Sequence, residues 1–314
     1  MKKALMMLLL LCTFLTGCGN GKKNEIISGE TDVMTEKDKA NPTVEEEGSE
    51  SEAKIVSVDY SELFQELNGC AVVYNFDANK YLVYNQDSAK ERYSPFSTFK
   101  IVSTLIGLRN GVLTDENSKM DYDGTTYPID AWNHNLTLDE AFKTSCIWYF
   151  RQIIDSVEVN EVQKELDELE YGNCDVSEWN GSKINPMDSL NGFWLGSSLK
   201  ISPMEQVQVM KKIFGGDSIY TDKEIDILQA IMSCDKVNGY SIYGKTGTNG
   251  SEEGWYVGFM EKKKNKLCFA VHITSEKSTC AATGNEAREI VKSIVAMSNE
   301  VALRKFTGEK NSIN

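Results

Sequence analysis

Ser97-Thr98-Phe99-Lys100 is the stretch on which the reading of this chain turns. A serine three residues before a lysine on a helix puts both side chains on one face. A serine nucleophile needs that arrangement when its base is a lysine or a lysine derivative. The helix runs through apolar Phe99 to Leu108 and closes on Asn110-Gly111, a C-terminal stop signal. Pro95 just upstream fits a turn into it. Ser97 at the helix start would meet unpaired backbone N–H groups and a dipole that favours developing negative charge. Lys100 lies one turn inward, between Phe99 and Ile101. Burial there would lower its pKa, because the charged form loses hydration. A neutral lysine amine can take the serine proton, or add carbon dioxide to become a carbamate. The plainer alternative is a capping serine and a surface lysine.

Further motifs follow in order. Ser145 precedes Cys146-Ile147 in a run, Thr137 to Ile154, that reads as one helix capped by Thr137 with Glu140 three residues on. Taken alone, Ser145 reads as a mid-helix serine bonded back to a carbonyl; in company with Ser97 and Lys100 it reads as a proton shuttle. Lys245-Thr246-Gly247-Thr248 ends a strand. There Lys245 offers positive potential and Thr246 a hydroxyl. Gly247 lacks a side chain, so a substrate backbone could lie along the strand edge. The backbone N–H groups of Thr248 and Ser97 could form an oxyanion hole. A bare Lys-Thr-Gly also ends ordinary strands.

Around these motifs the pattern predicts a short helix over Tyr60 to Leu67 and a β-hairpin of Ala71–Asn75 with Tyr81–Tyr84 about Asp77-Ala78-Asn79. Pro203 to Ile213 is a helix entered through Ser202-Pro203. Strands return over Gly239–Thr246, Trp255–Met260 and Lys266–Thr274, followed by an amphipathic helix from Asn285 to Arg304. Strands at both ends with helices between give an α/β fold of the α+β type. One antiparallel sheet is built from both ends of the domain, and the central helical region packs on one side of it. Catalytic groups from both regions would meet in the cleft between them.

The amino end reads as an address. Lys2 and Lys3 precede an apolar run from Ala4 to Leu15, too short to span a bilayer comfortably. Its end, Leu15-Thr16-Gly17-Cys18, resembles a bacterial lipobox, which implies diacylation of Cys18 and cleavage before it. Residues 1–17 are then a signal peptide. Residues 18–53, rich in Lys, Asn, Glu, Ser, Thr and Gly, form a tether that cannot bury a core, with a reach of roughly 30 Å. Residues 54–314 form the catalytic domain. The expected location is exported, held by lipid on the outer face of a bacterial membrane.

Loss of Lys2 and Lys3 takes the net charge from −14 to −16. So acidic a chain argues against a nucleic-acid partner. Six of the eight cysteines lie beyond Cys18, and they show no paired metal spacing. His134 and His272 are the two imidazoles, so no metal is expected. Export permits disulfides without requiring them.

Together the ordered motifs signal the penicillin-recognising serine acyl-transferases. Over Tyr60 to Ile294 the chain resembles the class D (OXA-type) serine β-lactamases. The similar segments are Pro95-Phe96-Ser97-Thr98-Phe99-Lys100-Ile101, Ala141-Phe142-Lys143-Thr144-Ser145-Cys146-Ile147-Trp148, Tyr171-Gly172-Asn173 and Phe193-Trp194-Leu195. Leu199-Lys200-Ile201-Ser202-Pro203, Tyr243-Gly244-Lys245-Thr246-Gly247-Thr248 and Gly254-Trp255-Tyr256-Val257-Gly258 continue the match. The resemblance implies hydrolysis of penicillins, with Ser97 as nucleophile and Lys100 as an N-carboxylated general base made with carbon dioxide or bicarbonate. It implies Trp194 as the donor to that carbamate and Ile147 and Leu195 as its apolar cover. Ser145 and Lys245 would relay protons, and Thr246, Gly247 and Thr248 would bind substrate. Tyr171, Gly172 and Asn173 would brace the loop carrying Trp194. The family's usual carboxylate-binding arginine has no match between Glu276 and Asn285, and Arg288 is poorly placed to replace it. A β-lactam sensor that holds its acyl group would share these motifs; a D,D-peptidase is a further alternative, against which the Trp194 element argues. Oligomeric state is left open.

Overall fold

Strand alternation sorts the core into two layers. On the strand Asn68–Asn75, Cys70, Val72 and Tyr74 join one apolar cluster, while Ala71 and Val73 join another. On Asn265–Thr274, Cys268 and Ala270 face the first cluster, and Leu267, Phe269, Val271 and Ile273 the second. A period of two with apolar residues on both faces requires cover on both sides of the sheet. The computed structural model describes residues 52–276 and 280–297, which belong to one compact unit beginning at Ser51. The expected signal peptide, Cys18, nearly all of the expected tether and the part of the expected terminal helix beyond Met297 lie outside the described residues.

Seven strands form the main sheet, in the order β1-β3-β2-β9-β8-β7-β6. They are β1 (Lys54–Ser57), β2 (Asn68–Asn75), β3 (Lys80–Tyr84), β6 (Ser233–Val237), β7 (Tyr240–Asn249), β8 (Glu253–Lys262) and β9 (Asn265–Thr274). A separate ribbon pairs β4 (Lys119–Met120) with β5 (Leu136–Thr137). The junction of the two chain ends is the antiparallel pair β2–β9, from Asn68↔Thr274 to Asn75↔Leu267. The sheet is thus assembled from both ends, as the sequence predicts. It is not wholly antiparallel, because β1 runs parallel to β3 at the edge.

Helix α1 (Ser61–Phe64) is shorter than the expected Tyr60–Leu67 and packs with α8 (Gly284–Met297) on one face. The other face meets α2 (Lys100–Arg109), α3 (Leu138–Lys143), α4 (Ile147–Asp155), α5 (Val159–Leu169), α6 (Pro203–Phe214) and α7 (Asp222–Ile231). Capping boxes start α3 at Thr137–Glu140 and α6 at Ser202–Glu205. Each such cap contributes about 1 kcal/mol. Thr221–Glu224 makes a third at α7, a helix the sequence reading does not anticipate. Nor does it anticipate α5, β1 or β6.

Two local corrections bear on the site. The single helix expected over Thr137–Ile154 is two, α3 and α4, broken at Ser145 (φ 57°). Ser145 N–H donates to Phe142 O at 3.2 Å and Cys146 N–H to Ala141 O at 2.8 Å. This is the Schellman closure, with serine in the left-handed place that glycine usually takes. Likewise, Lys245-Thr246-Gly247-Thr248 does not end its strand; β7 continues to Asn249.

Candidate active site

Ser97 lies in a 3₁₀ turn, Phe96–Phe99, that feeds directly into α2. Lys100, the first residue of α2, is completely buried and donates from Nζ to Ser97 Oγ at 3.0 Å. Its ammonium position faces the Phe150 ring at 5.3 Å. Burial is the main force on its titration and pushes the pKa down to about 7, opposed weakly by Cys146. The capping-serine and surface-lysine alternative therefore fails on burial alone.

The broken helix supplies a second wall. Phe142 precedes the break and lies 5.7 Å from Lys245 Nζ; Phe150 follows it and faces Lys100. Ser145 is half-buried in the turn between them, with Cys146 buried behind. Its left-handed backbone replaces the mid-helix setting expected of it, so the side chain leaves a helix end rather than a helix flank. Ile147 opens α4 and is half-buried against the core.

β7 supplies the third wall. β6 pairs with β7 only as far as Gly244, while β8 pairs with it on the opposite edge through Asn249. Lys245 to Asn249 therefore keep one strand edge clear of β6. Gly247 also lies close to the nucleophile turn. A Cβ there would lie 3.1 Å from Pro95 O and 3.2 Å from Thr98 Cγ2, so its absence lets the nucleophile turn sit on the strand. Lys245 is buried, and its Nζ donates to Thr246 O at 3.0 Å and reaches Thr246 Oγ1 at 3.4 Å. Burial, reinforced by the Lys100 charge, lowers its pKa well below the ordinary 10.5. Burial thus weakens the hold of Lys245 on its proton. Thr248 Oγ1 accepts from Gly284 N–H at 3.0 Å. Arg288 is bound to Asp235 through two nitrogens, at 2.6 and 2.9 Å.

The Trp194 segment packs against the nucleophile turn, where Phe96 N–H donates to Trp194 O at 3.0 Å. Trp194 is buried, its ring 5.4 Å from Phe99 and 5.0 Å from Phe193. Its indole Nε1 is buried without a hydrogen-bond partner among the described residues. Such an orphan donor in a dry setting costs about 1–3 kcal/mol and calls for an explanation. Leu195 is half-buried beside it. Tyr171-Gly172-Asn173 does brace this stretch. Asn173 Nδ2 donates to Ser198 O at 2.8 Å, and its Oδ1 accepts from Lys200 N–H at 2.8 Å. Gly172 (φ 60°) lies where a Cβ would fall 2.0 Å from Lys200 O, so no other residue fits. Ser197 bonds Glu178, and Ser198 Oγ donates to Asp175 O at 2.9 Å, which defines the loop the sequence leaves vague.

Several contributors are absent from the sequence reading. Gln206 Nε2 on α6 donates to Thr98 Oγ1 at 3.0 Å and to the buried Tyr171 hydroxyl at 3.5 Å. Thr98 Oγ1 in turn donates to Pro95 O at 2.7 Å. A buried polar brace thus lies beneath Ser97. The only sequence signal for Gln206 is a polar residue on the apolar face of α6. The arrangement can do acyl transfer: a hydroxyl in contact with a buried lysine, and a second buried lysine on a free strand edge.

The Penicillin binding protein transpeptidase domain family matches residues 69–296. Among curated relatives, Regulatory protein BlaR1 of Bacillus licheniformis is 35% identical over 243 residues, covering 76% of this chain but only 38% of that protein. The solved C-terminal domain of the Bacillus licheniformis BlaR penicillin-receptor aligns with a TM-score of 0.69 at 32% identity, covering 79% of this chain and 97% of that one. Class D β-lactamase BAT-2 aligns with a TM-score of 0.66 at 29% identity, covering 81% and 98%.

Proposed function

Because the chain belongs to the Penicillin binding protein transpeptidase domain family and has class D β-lactamases among its relatives, we propose that it is acylated by β-lactams at Ser97 and hydrolyses the acyl-enzyme. The observation that supports this most is Lys100, buried, with a pKa near 7 and 3.0 Å from the Ser97 hydroxyl. Near neutral pH a large share of this amine is uncharged and able to accept a proton.

In acylation, Ser97 Oγ bonds to the lactam carbonyl carbon as its proton passes toward Lys100. The ring C–N bond then breaks, and the nitrogen takes a proton through Ser145 and Lys245. The N–H groups of Ser97 and Thr248 would hold the carbonyl oxygen as it gains charge. The edge of β7 at Thr246, Gly247 and Thr248 would receive the substrate. In deacylation, water adds to the ester carbonyl and gives up a proton, and Ser97 leaves as a free hydroxyl.

Carbon dioxide on the neutral Lys100 amine would supply a carbamate, whose anionic oxygen could accept a proton in both steps. The residues fit such a group: Lys100 is completely buried, and Trp194 Nε1 is a buried donor without a partner among the described residues. Ile147 and Leu195 would keep water away from it. We also propose that Cys18, at the end of the apolar leader, is lipidated. It would then hold the domain on the outer face of a bacterial membrane through residues 18–53.

A second reading has specific support. Relatives named as regulatory proteins and a penicillin receptor match at 32–35% identity. The chain spans less than two fifths of such a regulatory protein's length. A receptor-like domain would take the acyl group and keep it. Penicillin turnover with and without added bicarbonate, followed by mass spectrometry of the protein, separates the two. Sustained turnover that rises with bicarbonate is expected, and Lys100→Ala should abolish it. A one-for-one adduct that persists would move the function to the receptor reading.

A further inference from the structure

Residues 93 to 96 run as a seam along the Trp194 loop. Tyr93 and Ile201 exchange both backbone bonds, at 3.0 and 2.8 Å, and Phe96 N–H donates to Trp194 O at 3.0 Å. Between them, Ser94 joins the seam through its side chain. Its buried hydroxyl donates to Trp194 O at 3.0 Å and accepts from Gly196 N–H at 2.8 Å. One oxygen thus grips the loop on both sides of Leu195. The Ser94 carbonyl accepts from Trp255 Nε1 at 3.1 Å, which ties the same residue to β8.

We propose that Ser94 is a positioning residue that holds the Trp194 indole at the Lys100 pocket and so sets how firmly Lys100 keeps its carboxyl group. This rests on the hydrolytic reading above. The ring itself is wedged: a Cβ on Gly192 would lie 2.5 Å from Trp194 Cζ3, and Phe99, the neighbour of Lys100, packs on it. Packing fixes the ring's plane. The depth of the ring depends on the backbone at Trp194 to Gly196, and there Ser94 supplies two of the constraints. Without the hydroxyl, Gly196 N–H loses its partner and the peptides about Leu195 are freer to turn. The orphan Nε1 would then average over positions, and a charged acceptor on Lys100 would lose its fixed donor.

The test is ¹³C NMR of the full chain titrated with ¹³C-bicarbonate, which reads the Lys100 carbamate directly and needs no turnover. Ser94→Ala, which removes both hydrogen bonds of the hydroxyl, should need about tenfold more bicarbonate for half-occupancy. Ser94→Thr, which keeps the hydroxyl, should stay close to the parent. Thermal melts establish that each variant is folded. Equal half-occupancy in parent and folded Ser94→Ala would overturn the proposal while leaving the hydrolytic reading intact. No carbamate signal in the parent at any bicarbonate concentration would instead overturn the base assignment, and this inference with it.

Discussion

At the scale of the residue, the chemistry rests on one amine held below its ordinary range. Lys100 has a folded-state pKa near 7 against an ordinary 10.5. Acylation of Ser97 should therefore rise with pH through about 7, read as the rate of fluorescent-penicillin labelling. A flat profile would remove Lys100 as the proton acceptor. Stability follows the same shift. Between about 7 and 10.5 the unfolded chain binds the Lys100 proton more tightly than the native one, so this group's burden is full below about 7 and is relieved as pH rises. Lys100→Met should then be more stable than the parent at neutral pH, on the order of 3 kcal/mol, with the gap closing in alkali. Denaturant titrations at two pH values measure it. Ser97 and Lys100 were legible because three-residue spacing on a helix is local information. Ser94, Gln206 and Phe150 were not, because their partners lie 50 or more residues away or on other elements.

At the scale of the element, the break at Ser145 is the informative case. Residues 137–154 hold no glycine or proline and keep an apolar helical pattern, so nothing local announces a stop. The stop comes from a tertiary requirement, with Phe142 and Phe150 each delivered to a different lysine. Serine in the left-handed region costs about 1 kcal/mol that glycine would avoid. Ser145→Gly should accordingly match or exceed the parent in thermal stability while losing β-lactam turnover. A variant that melts markedly lower would mean that the hydroxyl has a structural role. The overlooked helix α7 differs, since its Thr221–Glu224 capping box was present in the sequence. The edge strands β1 and β6 were hidden because they are short and half-exposed, with little apolar pattern to read.

For the whole molecule, the origin of the sheet in both ends of the chain was readable from strand periodicity and motif order, whereas its cover on both faces was not, since the reading put helices on one side. The parallel edge was not, since pairing direction leaves no mark on so short a segment as β1. The six described cysteines are all free, three of them buried. Global stability should thus be indifferent to redox state. Melting points with and without reductant should coincide, and a drop with reductant would reveal a pairing that this fold does not hold.

The β2–β9 seam has a bearing on how the molecule comes into being. A strand ending at Asn75 must wait for one beginning at Asn265, so nearly two hundred intervening residues have to be made before the centre of the sheet can close. Contacts of such long range make folding slow and leave incomplete chains without a core. Ser97 and Lys100 emerge early in synthesis and Lys245 late. No nascent chain can therefore present an assembled pocket, and acyl transfer begins only when the last strands have arrived.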